Sequence, residues 1–270
     1  MTASRHDRSE INGAPATVED LRHLVRTSYG HFSAMQVVDG GVRGLDLHLD
    51  RIEHATRELF GAAIDRERVR ACLRHAVAGS NAPLSLRVNI FSRALNRERL
   101  AEPAVPDILV MTGPPSRPPS APLRLKSFRY ARDLPKIKHV GTFPLFHYRR
   151  LAQQAGFDDA VFADAAGFVS EGSIWNMGFS DGNGIVWPDA PQLTGISMQL
   201  LQAGLLRNGT RSEARPIALR DIGEFRAAFF TNSSTPVQPI AGIDDTRFVS
   251  DAALTALLAE CYESNPLERI

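Results

Sequence analysis

Cysteine, lysine and long apolar runs are all scarce in this chain of 270 residues. The two cysteines, Cys72 and Cys261, lie far apart in helix-like apolar stretches, and no Cys-x-x-Cys or Cys/His spacing suits a metal. They are expected to be reduced core residues. The eight histidines show neither His-x-x-x-His nor His-Glu-x-x-His, so no metal site is expected. No stretch nears the ~18 apolar residues of a membrane span, and the N-terminal residues carry no apolar signal core. A cytoplasmic location follows as the expectation. Excess charge is missing too: 31 Lys and Arg face 30 Asp and Glu, which gives nucleic acid or an anionic membrane no purchase. What remains is an ordinary globular composition, long enough for one large domain or two modest ones.

Periodicity and turn signals divide the chain into many short elements. The first fifteen residues are polar and are expected to be loose. ATVEDLRHLVRTSYG reads as a helix with Thr17 as N-cap and Glu19 and Asp20 in its first turn. FSAMQVVDGGVRGL has the shape of a hairpin around Asp39-Gly40-Gly41. GLDLHLDRIEHATRELFG and DRERVRACLRHAVAG are amphipathic helices, the first ending near Gly61, and SLRVNIFSR and PDILVMTG are strands. Residues 112–122 carry five prolines in eleven positions, which suits neither helix nor central strand. This stretch is the expected linker between a domain over 1–111 and another over 123–270. Beyond it come the strand LRLKSFRY, the helix PLFHYRRLAQQAG and two hairpins, DDAVFADAAGFVS and IWNMGFSDGNGIVWP. The helix ISMQLLQAGLLRNG, the strand AAFFTNSS and a final helix, DAALTALLAECYESN, complete the pattern. Strands mixed with helices in both halves indicate an α+β architecture.

Several residues could carry chemistry. Only three of the 31 basic residues are lysines: Lys126, Lys136 and Lys138. Two stand in LPKIKHVGTF, where alternation aims Lys138 opposite to Ile137. A lysine in an apolar cleft has its amine pKa lowered and becomes available for Schiff-base chemistry; a lysine at the exposed end of a strand is the plainer alternative. Glu171, in FVSEGSIWNMGF, is a carboxylate among apolar neighbours and needs either solvent or a partner. LTGISMQ places Gly195, Ile196 and Ser197 at a helix start, where N–H groups can cradle a phosphate or simply form an N-cap. TNSST offers a second set of donors.

Taken together and in order, HLDRI, LPKIKH, QQAGFDDAVFAD, GFVSEGSIWNMGF, LTGIS and TNSSTPVQPIAGID resemble the class IV aminotransferases, the fold type IV pyridoxal-phosphate enzymes. The separation of 33 residues between Lys138 and Glu171 is typical of them. The resemblance implies a two-domain α+β fold with pyridoxal 5′-phosphate between a small N-terminal and a larger C-terminal domain, and a homodimer. It implies that Lys138 forms the Schiff base and moves the proton, and that Glu171 sits beside the pyridine nitrogen. Arg51 would grip the phosphate, with Ile196, Ser197, Asn232 and Ser233 as further phosphate contacts; Asn176 also matches a family position and is read as structural.

The substrate side departs from the pattern. Ser33 stands where aminotransferases often carry glutamate, Gln36 where arginine or lysine is common, and the loop after SLRVNIFSR is short. Phe32, Gln36 and Arg87 are the candidate substrate residues. The first reading is therefore an aminotransferase working between an amino donor and a keto acid. The second is a carbon–carbon lyase like aminodeoxychorismate lyase, which releases pyruvate; the third is a cofactor-binding relative without turnover.

Overall fold

The computed structural model describes residues 7–80 and 82–270. These divide into two compact units, one running to Ser116 and the other beginning at Arg117; Ile137–Gly141 and Leu267–Ile270 group with the first.

The first unit contains β1 (Ser9–Ile11), β2 (Ala14–Pro15), α1 (Val18–Thr27), β3 (His31–Val37), β4 (Gly41–Arg43), α2 (Leu45–Phe60), α3 (Arg66–Val77), β5 (Leu84–Phe91) and β6 (Asp107–Gly113). An antiparallel sheet runs in the order β2-β1-β6-β5-β3. Strand alternation sorts its side chains. Met35, Val37, Leu86, Val88, Ile90, Ile108 and Val110 pack with Leu45, Leu49 and Ile52 of α2 and Val69 and Leu73 of α3. In β3 and β5 the alternate positions Phe32, Gln36, Ser85, Arg87 and Asn89 belong to the opposite face, with Phe32 across from Asn89 and Gln36 across from Ser85. Thr17 is the N-cap of α1 as expected, and Asp20 at the third helical position completes a capping box with it.

Two expectations need correction here. Residues 9–11 are not loose: Ser9–Ile11 pairs with β6, and Ile11 is buried with Phe91 and Leu109. Residues 1–6 of that segment lie outside the described residues. The turn at Asp39-Gly40 is tight, with both residues at positive φ and Val38 and Gly41 exchanging backbone hydrogen bonds. Beyond that bridge, however, β4 takes a different partner, β16 (Leu267–Arg269).

The second unit holds β7 (Leu123–Arg129), α4 (Phe143–Gln154), β8 (Asp159–Ala163), β9 (Val169–Gly172), β10 (Asn176–Ser180), β11 (Ile185–Pro188), α5 (Ile196–Asn208), β12 (Ser212–Arg215), β13 (Ala227–Thr231), β14 (Gln238–Ile243), β15 (Thr246–Arg247) and α6 (Ala252–Glu263). Strands β10-β13-β14-β7-β8-β9 form a ring that closes where β9 pairs with β10. Both faces of these strands are covered, so several read as continuous apolar runs. Within β13, Ala228 and Phe230 join one core with Val161, Met177 and Val186. Phe229 faces the other way, onto Met198, Leu201 and Leu205 of α5 and Leu258 of α6. Among the described residues no helix is long and apolar enough to cross a membrane, and no cluster of acidic, His and Cys side chains could hold a metal.

Candidate active site

In the first unit, Lys138 is fixed by its backbone. Phe32 donates its N–H to the Lys138 carbonyl at 2.9 Å, and Val140 donates to Gly30 at 2.9 Å, so residues 138–140 run beside the start of β3. Ile137 is buried and Lys138 only partly so, as the alternation predicts. The Lys138 Nζ stands 4.9 Å from the centroid of the Phe32 ring, which also carries the Arg87 guanidinium at 3.6 Å. Two cations thus share one aromatic ring. Burial lowers the Arg87 pKa, and its Nε donates to Asn89 Oδ1 at 2.9 Å. Gln36, the third substrate candidate, exchanges hydrogen bonds with Ser85 and accepts the Ser116 N–H.

Arg51 lies on α2, three residues after His48, which takes its place in the buried stripe from Leu45 to Ile52. Its Nη2 donates to Ser33 Oγ at 2.6 Å, and Ser33 Oγ lies 2.7 Å from His48 Nδ1. Burial brings the Arg51 pKa down to about 10. Burial, then the charges of Arg51 and Lys138, push the His48 pKa well below its usual value. Among the described residues no carboxylate comes within ion-pair distance of Arg51. The Arg51 Nε is buried and has no hydrogen-bond partner among the described residues. A desolvated cation left with an open donor is suited to an anionic ligand such as a phosphate.

In the second unit, Glu171 on β9 is buried and accepts from Arg132 Nε at 3.1 Å and, more weakly, from the Leu193 N–H at 3.4 Å. Ile196 and Ser197 open α5, both buried, and no side chain caps that helix start. Its first N–H groups are open to an anion. Asn176 donates to Gln192 Oε1 and to the Leu193 carbonyl, at 2.9 and 2.6 Å, and so ties the strand after Glu171 to the loop entering α5. A Cβ on Gly195 would collide with Asn176 Oδ1, which is why a glycine stands there. Asn232 uses its side-chain oxygen within its own loop, accepting from the N–H groups of Ser234 and Thr235. Beside it, the Thr231 hydroxyl is buried and has no hydrogen-bond partner among the described residues.

The first unit thus brings Lys138, Phe32, Arg87 and Arg51 onto adjoining elements, and the second brings Glu171 close to the entry of α5. Sequence reasoning did not anticipate Ser33 as a partner of Arg51, His48 as its companion, or Arg132 and Asn89. His48 was detectable as a polar residue within an apolar helical stripe; Arg132 carried no such signal.

The model of the class IV aminotransferases matches residues 30–243. The chain belongs to that family. By that membership it is a pyridoxal-phosphate-dependent aminotransferase. A probable branched-chain-amino-acid aminotransferase of Rickettsia bellii (strain RML369-C) is 24% identical over 243 residues, covering 85% of this chain and 83% of the relative. Solved structures share the fold. A branched-chain aminotransferase of Thermoproteus uzoniensis, with norvaline, has a TM-score of 0.85 at 17% identity, covering 96% and 94% of the two chains. A hypothetical aminotransferase of Mycobacterium tuberculosis, in its PLP-bound form, has a TM-score of 0.79 at 18% identity, covering 94% and 97%.

Proposed function

We propose that this aminotransferase moves an amino group between an amino acid or amine and a keto acid, with pyridoxal 5′-phosphate attached to the ε-amine of Lys138. The observation that carries the reading is Arg51: a partly buried arginine whose buried Nε is open and which has no carboxylate partner among the described residues. Such a donor fits the cofactor phosphate. The uncapped start of α5, with Ile196 and Ser197, and the loop at Asn232 and Ser233 supply further phosphate donors. Glu171 offers its carboxylate to the pyridine nitrogen. When bound, the cofactor serves as the electron sink for the substrate's Cα. Lys138 then holds and moves the proton at that carbon. Phe32, Gln36 and Arg87 face the substrate, and Arg87, a desolvated cation, binds its carboxylate. The working form is a homodimer.

The test has two parts. Borohydride reduction of the yellow holoprotein should trap the cofactor on the peptide containing Lys138; trapping at Lys126 or Lys136 would refute the attachment. Incubation with a panel of amino donors should then give sustained transfer only with a keto acid present. Catalytic pyruvate release from aminodeoxychorismate, without an acceptor, would replace amino transfer by the lyase reading.

A further inference from the structure

We propose that Ser33 is the positioning residue of Arg51, orienting its guanidinium for the phosphate through a neutral chain that ends on His48. The inference rests on the cofactor reading above. Three contacts carry it: Arg51 Nη2 to Ser33 Oγ at 2.6 Å, Ser33 Oγ to His48 Nδ1 at 2.7 Å, and Arg51 Nη2 to His48 Nδ1 at 3.5 Å. Both Ser33 and His48 are buried, so each needs its partner.

The direction of the chain follows from the chemistry. Arginine has only donors. Burial and the charges of Arg51 and Lys138 hold the His48 imidazole neutral. Its Nδ1, facing the donor Nη2, is therefore an acceptor, and the ring proton sits on Nε2. Ser33 then donates to His48 and accepts from Arg51, which leaves the hydroxyl no freedom to rotate. A carboxylate in place of Ser33 would also orient Arg51, but would neutralise it. The hydroxyl fixes the guanidinium and leaves its full charge for the incoming anion, with Nε still open. His48 and Arg51 are three residues apart on α2 and Ser33 is on β3, so the helix–sheet packing itself sets the geometry.

The test measures binding of pyridoxal 5′-phosphate and of pyridoxal, which lacks the phosphate, to the apoprotein of wild type, Ser33→Ala, Arg51→Ala and the double variant. Ser33→Ala should weaken the phosphorylated ligand about tenfold, the scale of one hydrogen bond to a charged group, and leave pyridoxal unchanged. Because Ser33 acts through Arg51, the double variant should bind no more weakly than Arg51→Ala alone. Should alanine fail to fold, Ser33→Cys, of similar size but a poor acceptor, takes its place; Ser33→Thr should retain the wild-type preference. Equal losses for both ligands, or none, would overturn the positioning role. Loss of the phosphate preference in Arg51→Ala but not in Ser33→Ala would defeat this inference alone. An unchanged preference in Arg51→Ala would defeat the phosphate reading with it.

Discussion

Glu171 and Arg132 form an ion pair whose side chains are only 4% and 3% exposed. Removing one member leaves the other charge buried and alone, which costs about 3–5 kcal/mol. Urea unfolding should show a loss of that size for Arg132→Leu, and Arg132→Leu/Glu171→Gln should regain part of it because no charge is left stranded. A double variant as unstable as the sum of the two single changes would show that the pair is not what holds them. At this scale the sequence was informative where a residue type clashed with its neighbours. Glu171 among Phe168, Val169, Ile174 and Trp175 demanded either solvent or a partner, and three lysines among 31 basic residues drew attention to Lys138. Arg132 was hidden by the opposite circumstance. One arginine among many, in the polar stretch ARDLP, has nothing to mark it as buried until the chain folds.

The start of α5 depends on a strand far from it in sequence. Asn176 occupies the space where a Gly195 side chain would stand. Gly195→Ala must displace either the helix start or Asn176 and its bonds to Gln192 and Leu193, an overpacking cost of about 1–3 kcal/mol. Calorimetry of the apoprotein should register that loss, and the affinity for pyridoxal 5′-phosphate should fall with it; an alanine variant as stable as wild type would mean the loop yields freely. Elements with strong alternation or helical stripes were legible: β8, β10, β11, β13, α2 and α5 all fall where the apolar pattern puts them. Those that pair without such a pattern were not. β12 is the polar tetrapeptide Ser-Glu-Ala-Arg, set by its parallel pairing with β11. β14 contains Pro239, which argues against a central strand, yet it joins both β13 and β7. Likewise β4 was expected to return onto β3; its partner is supplied by residues over two hundred positions later, which no local turn signal can reveal.

For the molecule as a whole, acid is the weak side. His31 is buried against Thr56, and burial, then Arg51, lowers its pKa to about 3; His48 is lowered in the same sense. Both imidazoles stay neutral in the folded protein while the unfolded chain binds protons below about pH 6.5. The unfolded state therefore gains protons that the folded state does not, and stability falls as pH drops from 6.5 towards 3. The loss approaches about 1.4 kcal/mol per pH unit for each imidazole. Urea midpoints between pH 6.5 and 5 should show this slope, reduced by one imidazole's share in His31→Gln; equal slopes in both proteins would remove His31 from the account. The partition of the chain bears on synthesis as well. Arg43 pairs with Leu267, so on the ribosome β4 must wait for its neighbour while more than two hundred further residues are made. At roughly 5–20 residues per second the delay is on the order of ten to forty-five seconds. Through that interval the first unit is a nascent chain in which β4 still waits for β16, although the segment bearing Lys138 is made before the interval is half over.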